Sequence, residues 1–269
     1  YPLVKSIQLS FYITNGPKSQ IFVGLENFRF LYGDPAFHQA VWNTCIYACG
    51  SVFLQLPLSL GLALLLNSNM VRWRDFFRFT FFSPHLVGQV FVAVLFSVIF
   101  IPKFGLLNRV LHSLFDVAID TKWLGNPDLV MPALILTSLW MYVGFNMIYF
   151  LAALQGVDRS LYEAAQVDGA GPFKQFLHVT LPGIRGVAVF VAVLSTIGSF
   201  QLFELPYVML NNTAGPDNSG LTVVMYLYQN GFVAGDLGYA SAIGWTLTFA
   251  VLVISLVQMR LSGTWKTED

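Results

Sequence analysis

The chain has 269 residues, of which 56% are hydrophobic and 16% aromatic but only 10% charged, at a mean hydropathy of +0.65. A soluble domain carries roughly a quarter of its residues as charged side chains, so too little polar surface is present to cover a core of this size, and an ordinary soluble enzyme is excluded. Basic and acidic residues number 14 each and cancel, which gives no electrostatic reason to expect nucleic acid.

Lipid is the expected solvent, and a crossing helix needs about 20 mainly apolar residues. In chain order, Tyr1–Tyr12 (YPLVKSIQLSFY) is too short to cross alone; it reads as the outer end of a span whose beginning is absent from this sequence, and it lacks the pattern of a secretion signal. Five longer runs follow at 38–66, 80–101, 130–154, 186–210 and 238–260, the second interrupted by Pro84 and His85. The expected fold is all-α integral membrane, with about six transmembrane helices, the first truncated here, in a single domain over 1–269. Cys45 and Cys49 sit four apart in an apolar run and read as small buried hydrophobes rather than a disulfide or metal pair. His38, His85, His112 and His178 are scattered without ligand spacing, so no metal or other cofactor is expected.

Basic residues in short loops mark the cytoplasmic side. Arg72, Arg74, Arg78, Arg159, Lys174, Arg185, Arg260 and Lys266 all fall on one side of a consistent topology. The opposite loops, 13–37, 102–129 and 211–237, carry Lys18, Arg29, Lys103, Arg109 and Lys122 against seven acids, with turn signals at Asn15-Gly16, Asn126-Pro127 and Gly215-Pro216-Asp217.

The cytoplasmic segment 158–185, DRSLYEAAQVDGAGPFKQFLHVTLPGIR, is punctuated as structure rather than as a floppy loop. Ser160 and Glu163 have the spacing of a capping box, Leu161, Ala164 and Ala165 form a small apolar face at i, i+3, i+4, and Gly169 stands where a helix stops. Gly171-Pro172 can start a second helix, and Leu181-Pro182 is expected to end it before the next span. The outcome is a short helix outside the bilayer, with carboxylates at Glu163 and Asp168 and alanines small enough for another backbone to approach. Such a helix is shaped to dock in a groove of a partner protein.

Glu163-Ala164-Ala165, then Asp168-Gly169-Ala170, then Leu181-Pro182 with Val179 where isoleucine is usual, resemble the EAA motif of importer permeases in the ATP-binding cassette family. Phe77-Arg78 with Ser83-Pro84, Gly105-Leu106-Leu107-Asn108, Trp140 with Gly144-Phe145, and Tyr226-Leu227-Tyr228-Gln229 extend the resemblance to the carbohydrate-importer branch. The run from Phe200-Gln201-Leu202-Phe203-Glu204 to Gly215-Pro216 looks more like the maltose-type first permease than its paired second one, although Asn211–Pro216 departs from the usual Thr-x-Gly-Gly-Pro. The resemblance implies a permease subunit in a bacterial-type cytoplasmic (inner) membrane, embedded in lipid and paired with a second permease as a heterodimer. It further implies two ATP-binding-cassette ATPase subunits, an extracytoplasmic sugar-binding protein, and no nucleic acid. By resemblance, 158–185 is the coupling loop, and Glu163, Ala164, Ala165, Asp168 and Gly169 dock the ATPase. The chain holds no G-x-x-x-x-G-K-[ST] run, so ATP hydrolysis is expected in a partner and not here.

Polar residues within spans tend to face a cavity or a neighbouring helix, which singles out Gln89, Asn146, Gln201 and Glu204. Sugar recognition needs flat apolar faces together with amides or carboxylates. Trp140, Asn146 and Tyr149, and Phe200, Gln201, Phe203, Glu204 and Tyr207, supply both kinds and form the candidate substrate path; interhelical hydrogen bonding is the bland reading of the amides. The absence of basic residues inside the spans favours a neutral mono- to oligosaccharide over an anion. A secondary transporter or channel without ATPase partners is the alternative, but it leaves the capped cytoplasmic helix without a role.

Overall fold

The computed structural model describes residues 2–14, 20–68 and 71–262. The turn signal at Asn15-Gly16 and the basic residues Lys18 and Lys266 lie outside the described residues.

In chain order the elements are α1 (Pro2–Leu9), β1 (Tyr12–Thr14), β2 (Gln20–Phe22), α2 (Glu26–Gly33), α3 (Pro35–Asn67), α4 (Arg74–Leu86), α5 (Gln89–Ile99), α6 (Leu106–Phe115), α7 (Pro127–Gln155) and α8 (Arg159–Val167). Then come α9 (Pro172–Gln175), a π-helical turn at Phe176–Thr180, α10 (Leu181–Gly183), α11 (Arg185–Phe200), α12 (Glu204–Met209), α13 (Val223–Tyr228), a second π-helical turn at Gln229–Val233 and α14 (Leu237–Leu261). The fold is that of a helical integral membrane protein. Among the described residues α3, α7 and α14 are each long and apolar enough to span a bilayer, and two bent pairs, α4 with α5 and the Pro172–Gly183 stretch with α11, complete up to five crossings. Four of these match the expected apolar runs, while the fifth covers Pro172–Phe200 where 186–210 was expected. The outer loops depart from the sequence reading, since they carry a short antiparallel hairpin, with Tyr12 opposite Phe22, and the helices α2, α6 and α13.

Local chemistry accounts for the helix boundaries. Pro84 lies inside α4 rather than ending it. A proline leaves the carbonyl four residues back without its donor, and here the Ser83 hydroxyl donates to that Thr80 oxygen at 3.1 Å. The break falls three residues later, where Val87 is extended. At Asn126-Pro127 the proline becomes the first residue of α7, and the Asn126 side chain accepts from the Asp128 N–H at 3.1 Å. Asn108, in α6, is fully buried; it donates to Thr121 O at 2.9 Å and accepts from the Trp123 indole at 2.7 Å.

The chain divides into two compact units. One takes Tyr1–Gly50, Gln89–Thr137 and Ile197–Ile254. Its core joins Leu31, Phe37, Ala40, Leu221, Met225, Tyr239 and Ile243. Polar side chains of α3 hold the loop before α13. Asn43 donates to the carbonyls of Asn218 (2.8 Å) and Leu221 (3.0 Å), Gln39 donates to that of Asp217 (2.6 Å), and Thr44 Oγ1 accepts from Val223 N–H (3.0 Å). Asp34 receives the hydroxyls of Tyr226 and Tyr239. Burial pushes the Asp34 carboxyl up, but these hydroxyls and the Ala36 and Phe37 N–H groups outweigh it and hold it below the usual carboxylate range. Burial and the adjacent carboxylate push the Tyr226 hydroxyl up, so it stays a donor.

The other unit takes Ser51–Gly88, Ser138–Thr196 and Ser255–Asp269. Ala63, Leu66, Met147, Phe150, Leu154, Ile184 and Val191 form its core. At Gly144 an added Cβ would land on the Phe81 carbonyl oxygen, so the α7 and α4 backbones touch where only glycine fits. Ser59 Oγ donates to Val143 O at 2.9 Å, Gln258 Nε2 to Thr196 Oγ1 at 2.8 Å, and the Arg185 guanidinium to Ser262 O.

Candidate coupling site and substrate path

The 158–185 segment lies within the second unit and is helical at both places expected, with one correction at the start. The N-cap of α8 is Asp158, not Ser160: Asp158 is extended, and its carboxylate accepts from Ser160 N–H at 2.9 Å. Glu163 therefore sits too far along to close a capping box and pairs with Arg159 at 3.5 Å, an exposed i, i+4 contact. The Ser160 N–H and hydroxyl hold the Asp158 carboxyl below its ordinary range.

The other end is as expected. Asp168 is the C-cap and Gly169 takes the left-handed conformation at φ 75°, which glycine adopts without steric cost. Ala170 N–H reaches Ala165 O at 2.9 Å and Gly169 N–H reaches Gln166 O at 3.0 Å, the paired bonds of a Schellman motif. Gly171 caps α9 with Pro172 in its first turn. The expected stop at Leu181-Pro182 is corrected: the chain stays helical to Gly183. At Phe176–Thr180 it widens to an i→i−5 register, with Leu181 N–H on Phe176 O. Pro182 then follows directly on this widened turn, and the helix ends one residue later at Gly183. A bend of 70° separates this stretch from α11.

Two side-chain bonds stitch the segment together. Tyr162 hydroxyl meets Thr180 Oγ1 at 3.0 Å, tying α8 to the π-turn, and Gln175 Nε2 donates to Ala170 O at 2.7 Å. With Tyr162 and Ala165 half-buried, Glu163, Ala164, Asp168 and Gly169 are exposed. The face therefore differs from the Leu161, Ala164, Ala165 stripe read from spacing. Its apolar members are Leu161, Ala164 and Val167, the last 89% exposed, with Phe173 nearby in sequence at 73%. Val167 and Phe173 were missed; a valine three residues beyond Ala164 was the available signal for the first.

The candidate path residues fall in both units. In the second unit, Asn146 is buried and donates to Ser195 Oγ at 3.1 Å, which ties α7 to α11. Tyr149 stands edge-on to Phe145 at 5.2 Å and tilted to Phe190 at 5.9 Å, and Trp140 is 43% exposed. His85 stacks on Phe145 at 3.9 Å, an aromatic partner that spacing did not reveal.

In the first unit, the expected span 186–210 is broken at 201–203, between α11 and α12, and the break gathers most of its candidates. Phe203 stacks on Tyr207 at 5.0 Å, and both meet Tyr228, at 5.1 and 5.4 Å. Tyr228 stacks in turn on Phe232 at 5.6 Å. Gln201 and Glu204 are exposed at the break, and Phe200, half-buried, closes α11. Tyr228 entered the sequence reading only within the Tyr226–Gln229 resemblance and Phe232 not at all, so neither was placed in the candidate path. Thr222 fixes the arrangement, since it caps α13 and donates to Leu202 O at 2.7 Å.

Span-length apolar helices with polar groups tied between them, joined by short side-chain-capped helices, define a multi-pass membrane protein. The chain belongs to the family of binding-protein-dependent transport system inner membrane components, whose model matches residues 55–263. It is 40% identical over 271 residues to the arabinooligosaccharides transport system permease protein AraP of Bacillus subtilis (strain 168), covering 100% of this chain and 84% of that protein. The fold superposes with a TM-score of 0.84 at 25% identity on a chain of a bacterial ABC transporter involved in the import of the acidic polysaccharide alginate, covering 99% of this chain and 90% of that one. A bacterial alginate ABC transporter in complex with an alginate pentasaccharide-bound periplasmic protein gives a TM-score of 0.79 at 25% identity, covering 91% and 85%. The family is one of transport permeases, not of enzymes.

Proposed function

We propose that this chain is the sugar-import permease of an ATP-binding-cassette transporter, acting as one transmembrane domain in a bacterial-type cytoplasmic membrane. It pairs with a second permease as a heterodimer, receives cargo from an extracytoplasmic binding protein, and is driven by two ATPase subunits. The observation that carries the reading is α8: a capped helix with Glu163, Ala164, Val167 and Asp168 exposed, tied by Tyr162 to the element that leads into α11. Glu163, Ala164, Ala165, Asp168 and Gly169 form the docking end, where the small residues admit a partner backbone and the carboxylates accept from its cations. Ala165 contributes from the half-buried side, by keeping α8 close to its own protein.

Cargo is a neutral mono- to oligosaccharide in this reading. Neither α3, α5 nor α7 holds a lysine or arginine to meet an anion. Phe203, Tyr207 and Tyr228 offer ring faces beside Gln201 and Glu204, the mixture that pyranose C–H faces and hydroxyls require. Phe200 belongs to this group, while Trp140, Asn146 and Tyr149 supply rings and an amide within the second unit, where Asn146 also holds α7 to α11.

The test is tagged purification of the complex from cells expressing the chain with its neighbouring genes, followed by identification of the subunits recovered. An ATPase and a second permease are expected with the wild type. Glu163→Lys, which places a cation on the docking face, is expected to insert normally but lose the ATPase and uptake. A chain recovered alone under gentle solubilisation, or unimpaired recovery and uptake with Glu163→Lys, would count against the importer reading and the docking assignment respectively.

A further inference from the structure

The turn between α3 and α4 takes no part in the function proposed above, yet it concentrates charge. Arg72, Arg74 and Arg78 lie within seven residues, with Asp75 the sole acid among them. Arg74 and Arg78 line a cavity of about 540 Å³ together with Val71, Trp73, Asp75 and Phe76, and Arg72 is exposed next to it in sequence. Asp75 takes Arg78 Nη1 at 3.1 Å, leaving a surplus of two positive charges. The Arg78 Nε is enclosed and meets no acceptor among the described residues, so the protein satisfies this guanidinium only in part.

The apolar surroundings point outward. Trp73 is 71% exposed and occupies a left-handed conformation (φ 67°) at the N-cap of α4. Phe76, Phe77 and Phe79 are exposed, and α4 has no buried residue along its length. Position fixes the depth: α3 ends at Asn67 and the next bent crossing starts at Arg74, so this stretch turns at a membrane boundary. One bent crossing out and one crossing back through α7 separate it from α8, which puts both on the same side. Arginines beside an indole at that level match a headgroup region: the ring rests at the boundary, and the planar guanidinium can hold two oxygens of one phosphate.

We infer that Arg72, Arg74 and Arg78 bind the phosphate of an anionic phospholipid in the cytoplasmic leaflet, with its acyl chains running along the exposed Phe76 and Phe79 face of α4. The basic surplus selects against zwitterionic lipid, and the phenylalanine face selects a lipid over a free anion.

The experiment is native mass spectrometry of the purified full chain with its accompanying subunits in mild detergent, titrated with dioleoyl-phosphatidylglycerol or dioleoyl-phosphatidylcholine. Phosphatidylglycerol is expected to bind preferentially. Each of Arg72→Gln, Arg74→Gln and Arg78→Gln should weaken it about fivefold. Arg109→Gln, on the opposite side, should leave it unchanged, and inorganic phosphate should not displace it. Arg72→Gln alters an exposed side chain, so it decides the matter even if the other variants fold poorly, and Arg78→Lys should recover part of the binding by restoring charge without the fork. Equal retention of phosphatidylcholine, unchanged binding in the Arg72→Gln chain, or displacement by inorganic phosphate would overturn the inference. Loss of an accompanying subunit with phosphatidylglycerol retained would overturn it too, by assigning the surface to a protein contact.

Discussion

Replacing Asn43 by alanine tests whether the loop before α13 is held from α3. The Asn43 amide supplies both its hydrogens, to the carbonyls of Asn218 and Leu221, from a site only 7% exposed. On its removal, Asn218 is exposed and its carbonyl can recover a bond from water, whereas Leu221 is 3% exposed and its carbonyl is left unpaired. A net hydrogen bond is worth about 1 kcal/mol and an orphaned buried acceptor costs about 1–3, so the variant should lose about 2–3 kcal/mol. For a chain of this size that lowers the melting temperature by about 4–10 °C. The assay is a thermal melt in detergent followed by tryptophan fluorescence at a fixed scan rate, with Gln39→Ala as the control. Gln39 makes a bond of similar length to Asp217 O, but that bond is exposed, and its loss should move the midpoint by less than about 2 °C. An Asn43→Ala midpoint within about 1 °C of wild type, or one no lower than that of Gln39→Ala, would refute the reasoning. Uptake should also fall, because the loop carries Thr222, whose hydroxyl positions Leu202 beside Phe203.

Three further outcomes follow from local geometry. The Asp34 carboxyl lies below its unfolded value near 3.8, so its contribution is fully present above that value and is lost as pH falls through the lowered folded one; melts of wild type and Asp34→Asn should differ by a constant amount above about pH 5 and converge under acid, and a pH-independent difference would contradict this. Asp158→Ala should accelerate amide exchange over the first turn of α8, because the Ser160 N–H loses its acceptor, and the difference from wild type should fade as pH falls through the lowered Asp158 value. Unchanged exchange at neutral pH would show that the cap is not operating. Gly144→Ala should cost about 1–3 kcal/mol, since its Cβ meets the Phe81 carbonyl; Gly186→Ala, where nothing lies within 4 Å, should cost nothing by the same melt, and equal effects would dismiss the contact.

The crossings were legible because lipid admits only long apolar runs with internally satisfied backbones, and α3, α7 and α14 announce themselves by length alone. The breaks were less so. Pro84 looked like the interruption of its span, but a serine hydroxyl one residue earlier repaired the lost bond, and the chain broke at Val87 instead. At the head of α8 spacing pointed to Ser160, but the cap fell at Asp158, where the backbone is extended, a feature that spacing does not encode. Gly169 and Gly171-Pro172 were read correctly because positive φ and a missing N–H each leave few alternatives. The aromatic group around Phe203 was half legible. Phe203 and Tyr207 are near in sequence, whereas Tyr228 and Phe232 arrive through a loop fixed by hydrogen bonds from distant α3.

The bend at Gly183–Ile184 has a mechanical consequence. From Pro172 to Gly183 the helical stretch is about 18 Å long at 1.5 Å per residue, and it meets α11 at 70°, so it stands nearly crosswise to that helix like a crank on a shaft. Ile184, at the elbow, is 1% exposed and set in the core, which makes the elbow a stiff bearing rather than a swivel. A displacement of about 3 Å at the free end of such an arm is a rotation of roughly 10° about the elbow. In the importer proposed above, a small stroke delivered to this arm would be converted into torque on α11.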